Sequence, residues 1–226
     1  MGNKTSIYQQ ILLNALPVIG YWFWGWSMFA IVYLYWVEAV IISFFVFLKI
    51  SLAKGVEPST GAVATASSRI FSGLRILLLR LGILVFYWVF ILIFVALGQG
   101  KYSTEVAIDN TQILAFVNPG FNLAVLAFFL SQIVEFVSGF ILNDMYKTVP
   151  SSQYRLFFDA RTIIIHVVVV LGTFAYQFLD RYAAVDNRLP GLGFVLVLFF
   201  IKSIADVVVN SRVFKSTTSM SGNTPV

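Results

Sequence analysis

The sequence predicts an all-α membrane protein, a bundle of six transmembrane helices with both termini in the cytoplasm. Three observations carry that prediction. Of 226 residues, 59% are hydrophobic and 11% charged, and the mean hydropathy is +0.89, whereas soluble domains carry about 25% charged residues. Apolar stretches long enough for a crossing of about 20 residues recur along the chain. Finally, the basic residues fall mostly on one side of the resulting topology.

The first apolar stretch, Ile7 to Leu52, is too long for one crossing. It divides where Gly20 and Gly25 bracket Tyr21-Trp22-Phe23-Trp24, followed by Trp26. Indole and phenol rings favour the headgroup level, so this segment reads as an interfacial turn. It separates a first span over 7–24, bent at Pro17, from a second over 27–48. Residues 53–67 form a polar loop. Next, Ser68, Arg69, Ser72 and Arg75 take one side and Ile70, Phe71, Leu74 and Leu78 the other. That pattern predicts a short amphipathic interfacial helix ahead of a third span over 77–98, with Arg80 snorkelling outward.

A loop over 99–111 follows, carrying Lys101, Glu105 and Asp109. Ile113 to Asn118 reads as an interfacial piece, stopped by Asn118-Pro119-Gly120, ahead of a fourth span over 121–142. A polar stretch over 143–160 leads to a fifth span over 161–179. Asp180 to Pro190 forms a charged turn before a sixth span over 191–211. The Ser/Thr-rich tail, 216–226, is expected to be disordered. The start of the chain fits a myristoylation pattern, Met1-Gly2-Asn3-Lys4-Thr5-Ser6, but a six-span protein needs no lipid anchor. No cleavable signal peptide is expected, because aromatic residues stand where small ones would.

With the amino terminus inside, eleven of the 15 Lys and Arg residues fall on the cytoplasmic side. Lys101, Arg181 and Arg188 fall outside, and Lys202 lies within a span. Such a bias predicts a multi-pass protein of the cytoplasmic (inner) membrane. The net charge of +5 is scattered between apolar spans, which argues against nucleic acid as a partner. Zero cysteines exclude disulfides, thiolate nucleophiles and Cys-ligated metals. A single histidine, His166, excludes multi-histidine metal sites within one chain.

An ionisable side chain at mid-bilayer costs roughly 2.5–3.5 kcal/mol on insertion scales. Asn14, Glu38, Gln132, Glu135, His166, Lys202 and Asp206 therefore need partners, a wet cavity or a function, and Arg161 joins them at the mouth of the fifth span. Helical spacing arranges them in stripes. Gln10, Asn14, Pro17 and Tyr21 share one face, and Tyr35, Glu38 and Ser43 another, with Trp36 beside them. Ser131, Gln132, Glu135, Ser138 and Gly139 line a third. Arg155, Asp159, Thr162, His166 and Thr173 form a fourth, and Lys202, Asp206 and Asn210 a fifth. The third span carries no interior charge and reads as lipid-facing or structural. Glu38 and Lys202 both fall near the midplane, which predicts a buried pair. Glu135, His166 and Asp206 fall roughly 7–11 Å inside the cytoplasmic boundary. They form a lower cluster and are the sole metal-ligand candidates.

Tyr35-Trp36-Val37-Glu38 resembles the Y-W-x-E signature of domain-of-unknown-function family 6498, a bacterial membrane family. Tyr154-Arg155, and Arg161 through His166 followed by Leu171-Gly172, look like its R-x-x-x-x-H…G segment. Lys202 through Asp206 looks like its K-x-x-x-D ending. The similarity runs from about Leu12 to Asn210. The sequence departs from the pattern at Gln132 and Asn210, where the family commonly has histidine, which counts against a His-rich metal site. The resemblance implies a small polytopic membrane protein of bacterial origin and supplies no activity or cofactor.

Three functions compete. The first is a polar-cored transporter or channel-like protein handling protons or a small solute, because intramembrane ionisable residues mark such pathways. The second is an accessory or structural subunit, its aromatic surface packed on lipid, a second copy or a membrane-protein partner. In that case the polar residues only hold helices together, at about 0.6–2 kcal/mol per bond. The third is a membrane-embedded metal enzyme; no G-x-S-x-G motif supports serine chemistry, and the balance leans away from catalysis.

Overall fold

The computed structural model describes residues 2–91, 104–155, 192–193 and 195–204. Contacts divide the chain into two units, Met1–Ile31 with Ala160–Val226, and Val32–Asp159. Regular structure among the described residues is helical, apart from one isolated bridge between Val56 and Val63.

In the first unit, helix α1 (Gly2–Trp24) carries Pro17 in its interior. It stops where Gly25 takes a positive φ of 63°, a conformation a side chain would strain. The chain then folds back. Trp26 N–H donates to Gly20 O at 3.0 Å, and the Trp26 ring covers Gly20, where any Cβ would overlap the indole. The turn is therefore shorter than the predicted aromatic segment. Trp22, Phe23 and Trp24 are still helical and exposed, as rings at a membrane interface would be. Ser27 Oγ accepts from Ala30 N–H at 3.2 Å, capping the next helix. A short apolar helix, Val195–Ile204, also belongs to this unit. It buries Val195, Leu198 and Lys202, which follow i, i+3, i+7 spacing.

Helix α2 (Met28–Leu52) carries the main buried strip, from Phe29 through Ile50. In the second unit it pairs with α3 (Ala66–Ile91). The two are antiparallel, because contacts at opposite ends exchange partners. Trp36 Nε1–H donates to Leu84 O at 2.7 Å, while Arg69 Nε–H donates to Ser51 O at 3.3 Å. Helix α4 (Thr104–Leu114) precedes a turn in which Phe116 takes a positive φ of 55°. Asn118 Oδ1 then accepts from Phe121 N–H at 3.0 Å and starts α5 (Pro119–Val134), with Pro119 in the first turn. Helix α5 runs parallel to α2. Phe121 stacks on Tyr33 with centroids 5.6 Å apart, and further along Phe129 and Phe136 flank Phe45. A π-helical segment, Glu135–Ile141, continues α5. The short α6 (Met145–Thr148) and a 3₁₀ turn, Ser151–Tyr154, complete the described part of this unit.

Met28–Leu52, Ala66–Val89 and Asn110–Ile141 are long and apolar enough to cross a membrane; Ile11–Trp24 and Val195–Ile204 are shorter apolar helices. Several expectations change. The predicted interfacial helix is not separate: residues 66–76 are the first turns of continuous α3. Its polar side is split: Ser68 and Arg75 are exposed, whereas Arg69 is buried. Arg69, Gly73, Arg80 and Leu84 point inward, while Phe71 is 73% and Leu78 60% exposed. Arg69 turns inward because its guanidinium also serves the orphan carbonyls of Ala64 and Ser51. Arg80 is buried, so it does not snorkel and the third span does carry an interior charge. The predicted loop 99–111 is helical from Thr104, with Asn110 and Ile113 buried one turn apart. The fifth span, the tail, Arg161, His166 and Asp206 lie outside the described residues.

Candidate functional site

Among the polar groups of the described residues, four arrangements bear on function, one in the first unit and three in the second. In the first unit, Lys202 is 4% and Asn14 1% exposed. Lys202 Nζ donates to Asn14 Oδ1 at 2.5 Å, and Asn14 Nδ2–H donates to Ser203 Oγ at 3.4 Å. The amide orientation follows from chemistry: an ammonium has only donors, so the carbonyl oxygen must face it. Asn14 thus lies on the face that helical spacing assigned to it, and it joins two segments 188 residues apart.

In the second unit, Glu38 is 6% exposed, roughly 21 Å along α2 from Leu52. Above it on the same helix, Tyr33 and Trp36 meet Trp88, and Tyr33 also meets Phe116 and Phe121. A carboxylate at that depth is tolerated if it meets positive charge or donors, or takes up a proton. Glu38 belongs to the second unit and Lys202 to the first.

Near the far end of α2, Lys49 Nζ lies 3.3 Å from Glu135 Oε1. Glu135 opens the π-helical segment, and its N–H is shared between Ser131 O and Gln132 O. Leu142 N–H returns to Val137 O with i→i−5 spacing, and Ser138 Oγ–H donates to Val134 O at 2.5 Å. The wider turn begins after Glu135, whose own backbone is still α-helical, and such insertions are frequent at functional positions. Of the predicted lower cluster, Glu135 is described and is half-buried against Lys49. Sequence reasoning placed Lys49 among the flanking charges and missed this pair. Both residues sit within a turn or two of a helix end, which was the available signal.

The fourth feature was also missed. Glu57, in the connection between α2 and α3, is buried. Its Oε1 accepts from Ser151 Oγ at 2.6 Å, Ser152 N–H at 3.2 Å and Arg155 Nη2 at 3.4 Å. Arg155 Nη2 also donates to Ser151 Oγ at 2.5 Å. Burial raises the Glu57 carboxyl pKa, but the bonds from Ser151 and Ser152 and the nearby Arg155 charge outweigh it and hold the group below its usual range. Helical spacing places Arg155 on the stripe with His166; in the structure it ends a 3₁₀ turn and serves Glu57. Burial pushes the neighbouring Tyr154 phenol up to about 12. The signal available was one carboxylate in a loop otherwise built from small residues.

Among the described residues, no three His, Asp or Glu side chains converge as metal ligands. Compared with known proteins, the chain is matched over residues 1–222 by the model of a family of unknown function, DUF6498. No curated protein and no solved structure matches it.

Proposed function

Because the chain belongs to DUF6498, a family of unknown function, we propose a role from its own buried charges: a multi-pass inner-membrane protein that handles protons or a small solute through a polar core. Six crossings with both termini cytoplasmic are part of this reading, as is a bacterial source. The observation that carries it is Lys202, an ammonium buried in an apolar helix and bonded to Asn14. Glu38, a carboxylate buried in a second apolar helix, supports it. Embedded charges of this kind are retained where they line a pathway or pair with one another. The pathway residues would be Asn14, Glu38, Glu135, Arg161, His166, Lys202 and Asp206.

Proteoliposome flux under an imposed pH gradient tests the proposal. Glu38→Gln, Lys202→Met and Asp206→Asn should each lower flux about tenfold or more, the scale of a lost buried charge contact. Flux indifferent to all three substitutions overturns it. A second reading, an accessory subunit of a membrane complex, is favoured by the broad exposed apolar surface of α3 and α5. A lone monodisperse species in mild detergent argues against that reading. The metal-enzyme reading rests on His166, Glu135 and Asp206, of which Glu135 alone is described, with Lys49 beside it.

A further inference from the structure

The outward face of α3 holds a charge in an unusual place. Phe71, Leu74, Arg75, Leu78 and Leu79 line a groove of about 440 Å³. Phe71, Arg75, Leu78 and Leu79 follow i, i+4, i+7, i+8 spacing, so the arginine stands within an apolar stripe rather than beside it. All five residues are exposed. The inward face of the same helix uses Arg69 and Arg80, both buried. Among the described residues no acidic side chain pairs with Arg75.

Position along the helix gives the groove a polarity. Ser68 and Ser72 precede Arg75 at i−7 and i−3, closer to the start of α3 at Ala66. Leu78 and Leu79 follow it, and Gly82 then leaves open space where a side chain would stand. Phe86, highly exposed, continues the stripe. Arg75 lies roughly 13 Å from the helix start, and its long side chain can reach back toward a headgroup level near that start. Hydroxyls and a guanidinium toward the surface, with an apolar channel below them, match one kind of molecule in shape and charge.

We infer that the α3 groove around Arg75 binds an anionic phospholipid, with its phosphate on Arg75, Ser72 and Ser68 and an acyl chain along Leu78, Leu79 and Gly82. This inference rests on the membrane reading above and is independent of transport. A guanidinium at an apolar boundary is stabilised by a phosphate it can hold with paired N–H donors, and an anionic headgroup adds attraction that a zwitterionic one lacks.

Native mass spectrometry of the purified full chain, titrated with phosphatidylglycerol or phosphatidylcholine, provides the test. Phosphatidylglycerol should be retained about fivefold more, the ratio equivalent to one basic contact near an anionic surface. Arg75→Gln should erase the difference, and Arg75→Lys should keep most of it. Arg75 is exposed, so neither change threatens folding, and circular dichroism checks this. Equal retention of the two lipids by the natural chain overturns the inference, as does a preference that survives Arg75→Gln. The chain has no cysteine, so Leu78→Cys reads the competing occupant: an efficient disulfide dimer in membranes assigns the groove to a second copy and also overturns it. Release of the protein from membranes by an alkaline wash would sink the membrane reading itself. Loss of flux in the transport assay leaves the lipid result untouched.

Discussion

Ser151 donates its hydroxyl hydrogen to Glu57 at 2.6 Å, joining residues 94 positions apart. Around that bond the two connections of the second unit lock together by backbone as well. Lys54 N–H donates to Tyr146 O at 2.6 Å and Gly55 N–H to Val149 O at 3.1 Å. Glu57 also closes its own turn, accepting from Gly61 N–H at 2.9 Å while donating to Ala62 O at 3.0 Å. The ends of α2, α3 and the π-helical segment are thereby held on one side of the unit.

Glu57→Ala leaves the Ser151 hydroxyl and the Ser152 N–H without the carboxylate that accepts from them, and Arg155 with Ser151 Oγ in its place. Unmet buried groups of this kind cost about 1–3 kcal/mol. Thermal melting in detergent should fall, and limited proteolysis within 53–65 should accelerate. An unchanged cleavage rate would show that the backbone contacts alone hold the loop.

The same carboxylate sets a pH dependence. Its folded-state pKa lies below the ordinary 4.5, so its stabilisation is complete above that value and is lost as pH falls through the depressed one. Amide exchange at Lys54 and Gly55, corrected for intrinsic rates, should show constant protection from pH 7 to 5 and weakening below about 4.5. In Glu57→Gln this acid step should disappear.

Gly55→Ala should undo the docking by sterics alone. A Cβ there would overlap backbone atoms of Thr148 and Val149, and backbone cannot rotate aside as a side chain can. The expected loss is about 1–3 kcal/mol, typical of overpacking. It should appear in the same melting and proteolysis measurements, with no acid step added.

The Lys49 and Glu135 side chains are 19% and 36% exposed, so water still screens the pair and its net contribution to stability should be small. A double-mutant cycle with Lys49→Met and Glu135→Gln should give a coupling below about 1 kcal/mol. A coupling several times larger would place the pair in a drier setting than its exposure indicates.

Orientation can be read with single cysteines in a chain that has none. Ser59→Cys should react with an impermeant maleimide from the cytoplasmic side and Asn187→Cys from the opposite side. The reverse pattern, or both on one side, contradicts six crossings with internal termini.

Several features are legible in the sequence. Asn118-Pro119-Gly120, a breaker by composition, stands at the start of α5, where the structure adds that asparagine caps the helix and proline fits its first turn. The end of α1 at Trp24 followed from Gly25. Asn14, Glu38 and Lys202 stood out because charge or amide within an apolar run is costly, and all three are buried. Other features were invisible. Helical spacing grouped Arg69 with Arg75 on one side of α3, but it could not tell that Arg69 turns inward and Arg75 outward. The π-helical segment depends on an extra residue per turn that no local pattern announces, and the meeting of Glu135 with Lys49 depends on how α5 packs beside α2.

Composition and span length therefore determined that this chain is helical, and which few polar residues its apolar helices must accommodate, because those properties depend on transfer from water to hydrocarbon residue by residue. Tertiary structure decided the partners: Asn14 with Lys202, Lys49 with Glu135, Glu57 with Ser151 and Arg155, and Arg69 with the end of α2. A hydrogen bond is directional and reaches about 3 Å. Its partners are fixed only once helices distant in sequence have packed in a particular register.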